Sequence, residues 1–186
     1  MSSFNDDIRK LVANYKLEPH PEGGYFKEVY RSAQTVSAEA LGFQFDGERS
    51  YCTSIYFLLT AGNFSGFHRI KQDEVWHFYH GHPLTVHVID EKGKYQAHVV
   101  GFDLEEGPSP QLVVPARAWF ASSVNSSEGE DGYSFVGCTV APGFDFRDFE
   151  MAKRAELLIV ALFPQHKRYY RRVNEGINDF YLDVQT

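Results

Sequence analysis

The stretch from Gly62 to Gly81, GNFSGFHRIKQDEVWHFYHG, holds a dense set of polar and aromatic side chains between two glycines. Five residues separate Gly62 from His68, three separate Ile70 from Glu74, and six separate Glu74 from Gly81. A histidine and a glutamate at this spacing are suited to metal binding, proton transfer or ligand binding. They also occur as partnered polar groups in a core, so all four interpretations apply to His68 and Glu74.

Short segments rich in β-branched and aromatic residues, separated by Gly and Pro turns, surround this stretch. Such segments are typical of strands. The interval Ser32–Ser50 lacks this pattern and is predicted to be a loop. The predicted strands are Tyr25–Arg31, Cys52–Leu59, Gly66–Ile70, Glu74–Tyr79, Leu84–Asp90, Tyr95–Phe102, Gln111–Val114, Trp119–Val124 and Tyr133–Val140. Many short strands in series predict an all-β fold, a jelly-roll barrel or sandwich.

Helical patterns occur only at the two ends of the chain. Ser3–Tyr15 has apolar residues at helical spacing, and Asp148–Phe163 reads as one or two helices. We therefore expect a single domain over residues 1–186. Its barrel is predicted to span about 17–146 and a C-terminal helical extension about 147–186.

The composition fits a globular protein and excludes several classes of function. Of the 186 residues, 43% are hydrophobic and 16% aromatic, enough for a sizeable core. The formal charge of -7 argues against a nucleic-acid partner, which requires a basic face. Cys52 and Cys138 are too few for a disulfide framework, and no apolar run resembles a signal peptide or spans a bilayer. We therefore expect a cytoplasmic protein with no membrane partner.

Strand alternation relates the residues around Glu74 to one another. If Glu74 faces the interior, Trp76 and Phe78 share its face, and His80 joins them if the alternation continues. A carboxyl group among aromatic rings is desolvated, so its pKa should rise unless a cation lies beside it. His68, on the preceding predicted strand, is its natural partner.

The spacing resembles the first motif of the cupin superfamily, which combines two glycines, a His-x-His pair and a glutamate. Ile70 occupies the place of the second histidine. In the segment VPARAWFASSVN, Phe120 occupies the place of the histidine in the second cupin motif. Two of the four usual metal ligands are therefore replaced. The positions in register with the first motif are Gly62, His68, Glu74 and Gly81.

Further blocks strengthen the resemblance, which covers about Leu17 to Leu162. PEGGYFKEVYRS, TSIYFLL, FHRIKQDEVWHFYHG and VGCTVAPGFDFRDFEMA resemble a branch of cupins of unassigned function. This branch is related in fold to the sugar-nucleotide 3,5-epimerase of the rhamnose pathway. The resemblance implies an RmlC-like jelly roll and a homodimer. It also places the segment from Glu22 to Glu28 at the border of the substrate pocket.

The epimerase relatives imply a mechanism for proton transfer. They use a histidine base next to a carbonyl and a tyrosine acid, and His68 matches the position of their histidine. Glu74 is the nearest candidate to orient His68. Tyr133 is the predicted acid, with Tyr56 and Tyr30 as alternatives. No cofactor is expected for this chemistry.

The predicted ligand is a sugar-like or nucleotide-sugar-like small molecule, and the expected reaction class is isomerase or epimerase. Arginine suits a phosphate or carboxylate, and aromatic rings offer stacking surfaces. One alternative is a carbohydrate- or nucleotide-binding protein without catalysis. Another is a metal-dependent oxygenase, with His68 and Glu74 as ligands. The predicted ligand-binding residues are Glu28, Tyr30, Arg31, Arg69, Trp76, Phe78 and Trp119.

Overall fold

The computed structural model describes residues 4–42, 44–102, 107–127 and 131–152. Within these residues the helices are α1 (Phe4–Tyr15) and α2 (Ala38–Leu41), with one 3-10 helix at Phe146–Asp148. None of the described helices is long and apolar enough to cross a membrane. The strands are β1 (Glu18–Pro19), β2 (Tyr25–Arg31), β3 (Thr35–Val36), β4 (Arg49–Ser50), β5 (Thr53–Thr60), β6 (Phe64–Arg69), β7 (Asp73–Gly81), β8 (Leu84–Ile89), β9 (Tyr95–Val100), β10 (Gln111–Val114), β11 (Trp119–Val124), β12 (Tyr133–Ala141) and β13 (Glu150–Met151).

Two antiparallel sheets face each other. The larger has the order β1-β2-β5-β12-β7-β10, and the smaller has the order β13-β6-β11-β8-β9. A short ribbon, β3-β4, accompanies them. Strands distant in sequence, such as β5 and β12, are neighbours in this order, as in a jelly roll. The predicted all-β class and jelly-roll architecture are confirmed.

The main core lies between the two sheets. Alternate residues of each strand point inward, and Trp76, Phe57 and Phe120 are almost fully buried there. Trp76 meets both phenylalanine rings edge-on, with ring centroids 6.0 Å and 6.3 Å away. Burying a large apolar side chain contributes about 1.5–3 kcal/mol. This layer therefore fixes which faces of β5, β7 and β11 point inward.

Helix α1 covers the outer face of the larger sheet. Its apolar side packs on Leu58, Tyr133 and Phe135 through Ile8 and Leu11. The predicted N-terminal helix is confirmed to within one residue, because its apolar spacing has a sheet face to cover.

Two bulges change the strand alternation near the site. In β2 the register against β5 shifts between Glu28 and Tyr30, and in β12 against β7 it shifts between Phe135 and Val136. Each shift inserts an extra residue on one strand, so the side chains beyond it change face. Tyr79 is the extra residue in β7.

The segment after β12 is fastened by a buried ion pair. Asp148, at the end of the 3-10 helix, accepts hydrogen bonds from Arg49 Nε and Nη2, both at 2.7 Å. It also accepts from Gln72 Nε2 at 2.8 Å and contacts Lys71 Nζ at 3.1 Å. These four donors hold the 3-10 helix against β4 and the β6–β7 turn.

Two predictions of local structure are wrong. The predicted loop Ser32–Ser50 contains β3, α2 and β4, because Ser37 caps a short helix and the two strands pair with each other. The helix predicted from Asp148 does not begin there: the 3-10 helix ends at Asp148, and β13 then pairs with β6. The remainder of the predicted C-terminal extension, from residue 153, lies outside the described residues.

Candidate functional site

A cavity of about 280 Å³ opens at one end of the sandwich. Strands β2, β5, β7 and β12 of the larger sheet line it together with β6 of the smaller sheet and the segment 144–149. Its polar side chains are His20, Glu22, Glu28, Arg31, Thr53, His68, Glu74, Cys138 and Asp145. Its apolar side chains are Phe26, Ile55, Phe57, Ile70, Val140, Phe144, Phe146 and Phe149.

His68 is held at both ring nitrogens. Its Nδ1 lies 2.7 Å from the carbonyl oxygen of Gly66, and its Nε2 lies 2.8 Å from Glu22 Oε2. Because both neighbours are acceptors, each nitrogen must donate, which makes the ring an imidazolium. The ring is buried and lies against Phe120, with centroids 4.0 Å apart.

Local structure brings Glu22 to His68 across the two sheets. The Gly66 N–H donates to the carbonyl of Glu22 at 2.8 Å, and Ser65 Oγ donates to Glu22 Oε1 at 2.9 Å. Gly23, which follows, has a φ of +110° that a residue with a Cβ rarely adopts. This turn presses the start of β2 against β6.

The electrostatics of the pair favour opposite charges. Burial by itself would lower the pKa of His68, but Glu22, Glu74 and the carbonyl of Gly66 together outweigh it, so the pKa lies above its usual value. Burial would raise the pKa of Glu22, yet His68 and His20 bring it below its usual value. Both shifts favour a carboxylate on Glu22 paired with an imidazolium on His68.

Glu74 lines the same cavity without a basic partner within hydrogen-bond distance among the described residues. It is 8% exposed. Burial raises the pKa of its carboxyl to about 7, while His68 and the Cys138 thiol oppose the rise only in part. At neutral pH this group is both a proton donor and a proton acceptor.

His20 completes the inner set. The N–H of Glu22 donates to its Nδ1 at 3.3 Å, and its ring meets Phe26 edge-on at 4.6 Å. Burial lowers the pKa of His20 below its usual value, and Glu22 only partly compensates. His20 is therefore a neutral imidazole beside the charged pair.

An ion pair forms the rim of the cavity. Arg31 donates to both carboxylate oxygens of Glu28, at 3.0 Å and 2.6 Å, and to the carbonyl of Phe144 at 3.1 Å. Strict alternation predicts opposite faces for Glu28 and Arg31. The bulge after Glu28 turns Arg31 back to the cavity and leaves Tyr30 54% exposed.

The tyrosine acid predicted from the sequence is not in the cavity. Tyr133 lies on the outer face of the larger sheet, where its hydroxyl is 2.8 Å from His80 Nδ1. Tyr133 and Cys138 are an odd number of residues apart on β12, so they point to opposite faces of the sheet, and Cys138 faces the cavity. Tyr56 is also on the outer face, packed against Tyr79.

Other predicted ligand contacts have different surroundings. Arg69 points away from His68, pairs with Glu150 at 2.7 Å and lies over the ring of Trp119 at 4.3 Å. Trp76 and Phe78 belong to the core between the sheets and do not line the cavity. Of the predicted residues, the structure brings together His68, Glu74, Glu28 and Arg31.

The positions of the missing cupin ligands are apolar in the structure too. Ile70 lines the cavity and the ring of Phe120 packs on His68. His80, expected to join Glu74 if alternation continued, lies outward because of the Tyr79 bulge. Among the described residues, no group of three or more His, Cys, Asp or Glu is arranged to hold a metal ion.

From the sequence, Glu22 was placed only at the border of the substrate pocket, His20 had no predicted role, and Glu74 was assigned to orient His68. The structure places Glu22 in that position instead. A signal was present: His20 lies between two prolines directly before Glu22 and the Gly23–Gly24 turn, which is an unusual place for a histidine. Nothing in the spacing relates these residues to His68.

Residues 9–152 match the family model Cupin_5, described as Cupin superfamily (DUF985). The chain belongs to the cupin superfamily. It is 30% identical over 163 residues to the uncharacterized protein YML079W of Saccharomyces cerevisiae, covering 85% of this chain and 81% of that protein. The solved structure of a hypothetical protein from Leishmania major is 40% identical, with a TM-score of 0.73, over 88% of this chain and 96% of the other.

Protein SO0799 from Shewanella oneidensis is a further similar solved structure. It is 39% identical with a TM-score of 0.73, and the match covers 93% of this chain and 98% of the other. Cupin membership confirms the predicted family and fold. The names of these relatives carry no activity or substrate.

Proposed function

We propose that this cupin binds a small, sugar-like molecule in the cavity and catalyses proton transfer on it, as an isomerase or epimerase. The observation that carries the proposal is Glu74: a buried carboxyl group lines the cavity beside the ion pair of His68 and Glu22. The three groups together can give, take and stabilise charge.

The burial of Glu74 supports a catalytic role for this residue. Burying a carboxylate without a cation in contact lowers the stability of the fold, unless the group serves another purpose. A leucine or glutamine would fill the same space at lower cost. Groups with strongly shifted pKa values in a cavity are typical of functional sites.

The roles that we propose differ from those predicted from the sequence. His68 was expected to be the base, but both of its ring nitrogens donate to acceptors, so it has no lone pair for a proton. Glu74, with a pKa of about 7, is the better base. It takes the proton from a carbon next to a carbonyl. The C–H electron pair forms a C=C bond, and the carbonyl oxygen becomes an enolate near the positive charge of His68.

The cavity favours a free sugar over a nucleotide sugar. Its volume of about 280 Å³ is at the small end for ligand pockets, which run from about 300 to 1,000 Å³. Arg69 lies outside it, and Arg31 is engaged by Glu28. Phe26, Phe144 and Phe146 provide apolar faces for the C–H side of a sugar ring.

Binding without catalysis is the second candidate, favoured by the same aromatic lining. The metal-dependent oxygenase, the third prediction, has no observation in its favour, because Ile70 and Phe120 supply no ligand atoms.

Solvent deuterium exchange separates the first two candidates. The purified protein is incubated in deuterium oxide with free pentoses and hexoses, both aldoses and ketoses, and with nucleotide sugars. We expect deuterium on the carbon next to the carbonyl of a free sugar, and a loss of about 10²–10⁴-fold in Glu74→Gln. Glu150→Gln is the matched control, since it makes the same change outside the cavity. Binding of a sugar without exchange would replace the isomerase by a binding protein.

The exchange rate should also depend on pH in one direction. The base must be ionised, and the pKa of Glu74 is about 7. We therefore expect kcat/KM to rise about tenfold per pH unit below about 7 and to level off above it.

A further inference from the structure

We propose that His20 is the hydrogen-bond donor that binds the ligand's carbonyl oxygen, through its Nε2–H. This assignment rests on the proposed proton transfer, for which it supplies the oxygen-binding group that the tyrosines do not supply. The ligand class that follows is a sugar in its carbonyl form, with that oxygen directed at His20.

The contacts of His20 fix its tautomer. The Glu22 main-chain N–H lies 3.3 Å from Nδ1. A main-chain N–H can only donate, so Nδ1 must present its lone pair and the ring proton must be on Nε2. The carboxylate of Glu22 lies 3.7 Å from Nδ1, beyond hydrogen-bond range, and does not compete for this nitrogen.

The ring is also held in place. The His20 N–H donates to the carbonyl of Gly24, and Gly23 N–H donates to the carbonyl of His20, both at 3.0 Å. Phe26 and Phe57 meet the ring edge-on, with centroids 4.6 Å and 6.0 Å away. A donor fixed before the ligand arrives needs no reorganisation when charge develops on the oxygen.

Nothing within the described residues uses this donor. His20 is 9% exposed and lines the cavity, and its Nε2 has no hydrogen-bond partner in the described part of the chain. The Nε2 atom is not closed off from solvent, so its N–H is open to the cavity, where a ligand oxygen can accept from it. The neutral ring of His20 suits this role, because the positive charge of the site is on the neighbouring His68.

Two substitutions at His20 separate hydrogen bonding from packing. His20→Gln keeps an N–H donor near the position of Nε2, and His20→Phe keeps a ring of similar size without a donor. We expect His20→Phe to lower kcat for deuterium exchange by about 10²–10³-fold with little change in KM. His20→Gln should recover at least a tenth of wild-type kcat. Full exchange in His20→Phe, or an equal loss in both variants, would overturn the proposal.

A measurement without any ligand tests the tautomer directly. Long-range ¹H–¹⁵N correlation spectra of the intact protein at pH 7 should show His20 neutral with its proton on Nε2. A proton on Nδ1, or an imidazolium, would overturn the assignment. The proposed function fails separately: wild-type protein that exchanges no sugar contradicts proton transfer, whereas exchange that His20→Phe leaves unchanged contradicts only the role of His20.

Discussion

The protein has two buried ion pairs, Arg49 with Asp148 and His68 with Glu22, and they differ in how many hydrogen bonds their partners receive. Asp148 receives four donors, and the guanidinium of Arg49 also donates to the carbonyls of Gly47 and Glu48. Neither residue lines the cavity. The pair of Glu22 and His68 does line it.

The second difference is whether the cation can lose its proton. An arginine side chain is always protonated at neutral pH, and Asp148 raises the pKa of Arg49 further. Arg49 therefore keeps its charge. His68 can become neutral if its partner is removed. A saturated pair with a permanent charge is suited to anchoring. A titratable pair beside a buried carboxyl that has no basic partner in hydrogen-bond range is suited to chemistry.

The largest effect should follow from breaking the anchoring pair. Asp148→Asn removes the buried carboxylate and leaves the buried Arg49 with only the more exposed Asp46 as a counter-charge, so it should lower the free energy of unfolding by about 3–5 kcal/mol. Chemical denaturation measures this. The control is Glu150→Gln, whose exposed pair with Arg69 should change the free energy by less than about 1 kcal/mol. Equal effects of the two variants would remove the distinction between buried and exposed pairs.

Glu74→Gln should raise the free energy of unfolding, opposite to the effect of Asp148→Asn. Since burial raises the pKa of Glu74 from 4.5 to about 7, the folded state binds its proton more tightly than the unfolded state. Stability due to this group therefore falls as the pH rises from about 4.5 to about 7. Glutamine does not titrate, so at pH 8 the variant should be more stable by about 3 kcal/mol while losing exchange activity.

The same comparison at pH 4, where the carboxyl is protonated in both folded and unfolded states, should show little difference. Denaturation curves at the two pH values test this. A variant that is less stable than wild type at pH 8 would show that Glu74 has a structural partner.

Glu22→Gln should lower the free energy of unfolding by about 1–2 kcal/mol, less than Asp148→Asn, because His68 can release its proton. Burial is then no longer offset, so the pKa of His68 should fall below 6.5. The pair stabilises the fold between the lowered pKa of Glu22 and the raised pKa of His68, and the difference from wild type should shrink above that window. NMR titration of His68 measures the shift, and an unchanged pKa would contradict the assigned partner.

The smallest effect should come from the rim. Glu28→Gln removes the partner of Arg31, but this pair is about two-fifths exposed on each side. We expect a change in the free energy of unfolding below about 1 kcal/mol and a change in KM of a few-fold. A loss as large as that of Glu22→Gln would show that the rim, and not the inner pair, supports the site.

The sequence predicts which side chains share a face of one strand, because side chains alternate along it. The face shared by Glu74, Trp76 and Phe78 followed from the two-residue period, and the structure has all three pointing inward. The period fails wherever an extra residue is inserted. Arg31 and His80 changed face at bulges that leave no mark in the hydrophobic pattern.

The sequence by itself determined the strands, their Gly and Pro boundaries, the covering helix α1 and the cupin motif with its apolar replacements at Ile70 and Phe120, because these depend on local period and composition. Only the tertiary structure decided the partners. Glu22 and His68 are 46 positions apart and meet because the turn before β2 is hydrogen-bonded to Ser65 and Gly66 of β6. Likewise the charge of His68, the raised pKa of Glu74 and the tautomer of His20 depend on burial and on contacts through space, which no spacing along the chain encodes.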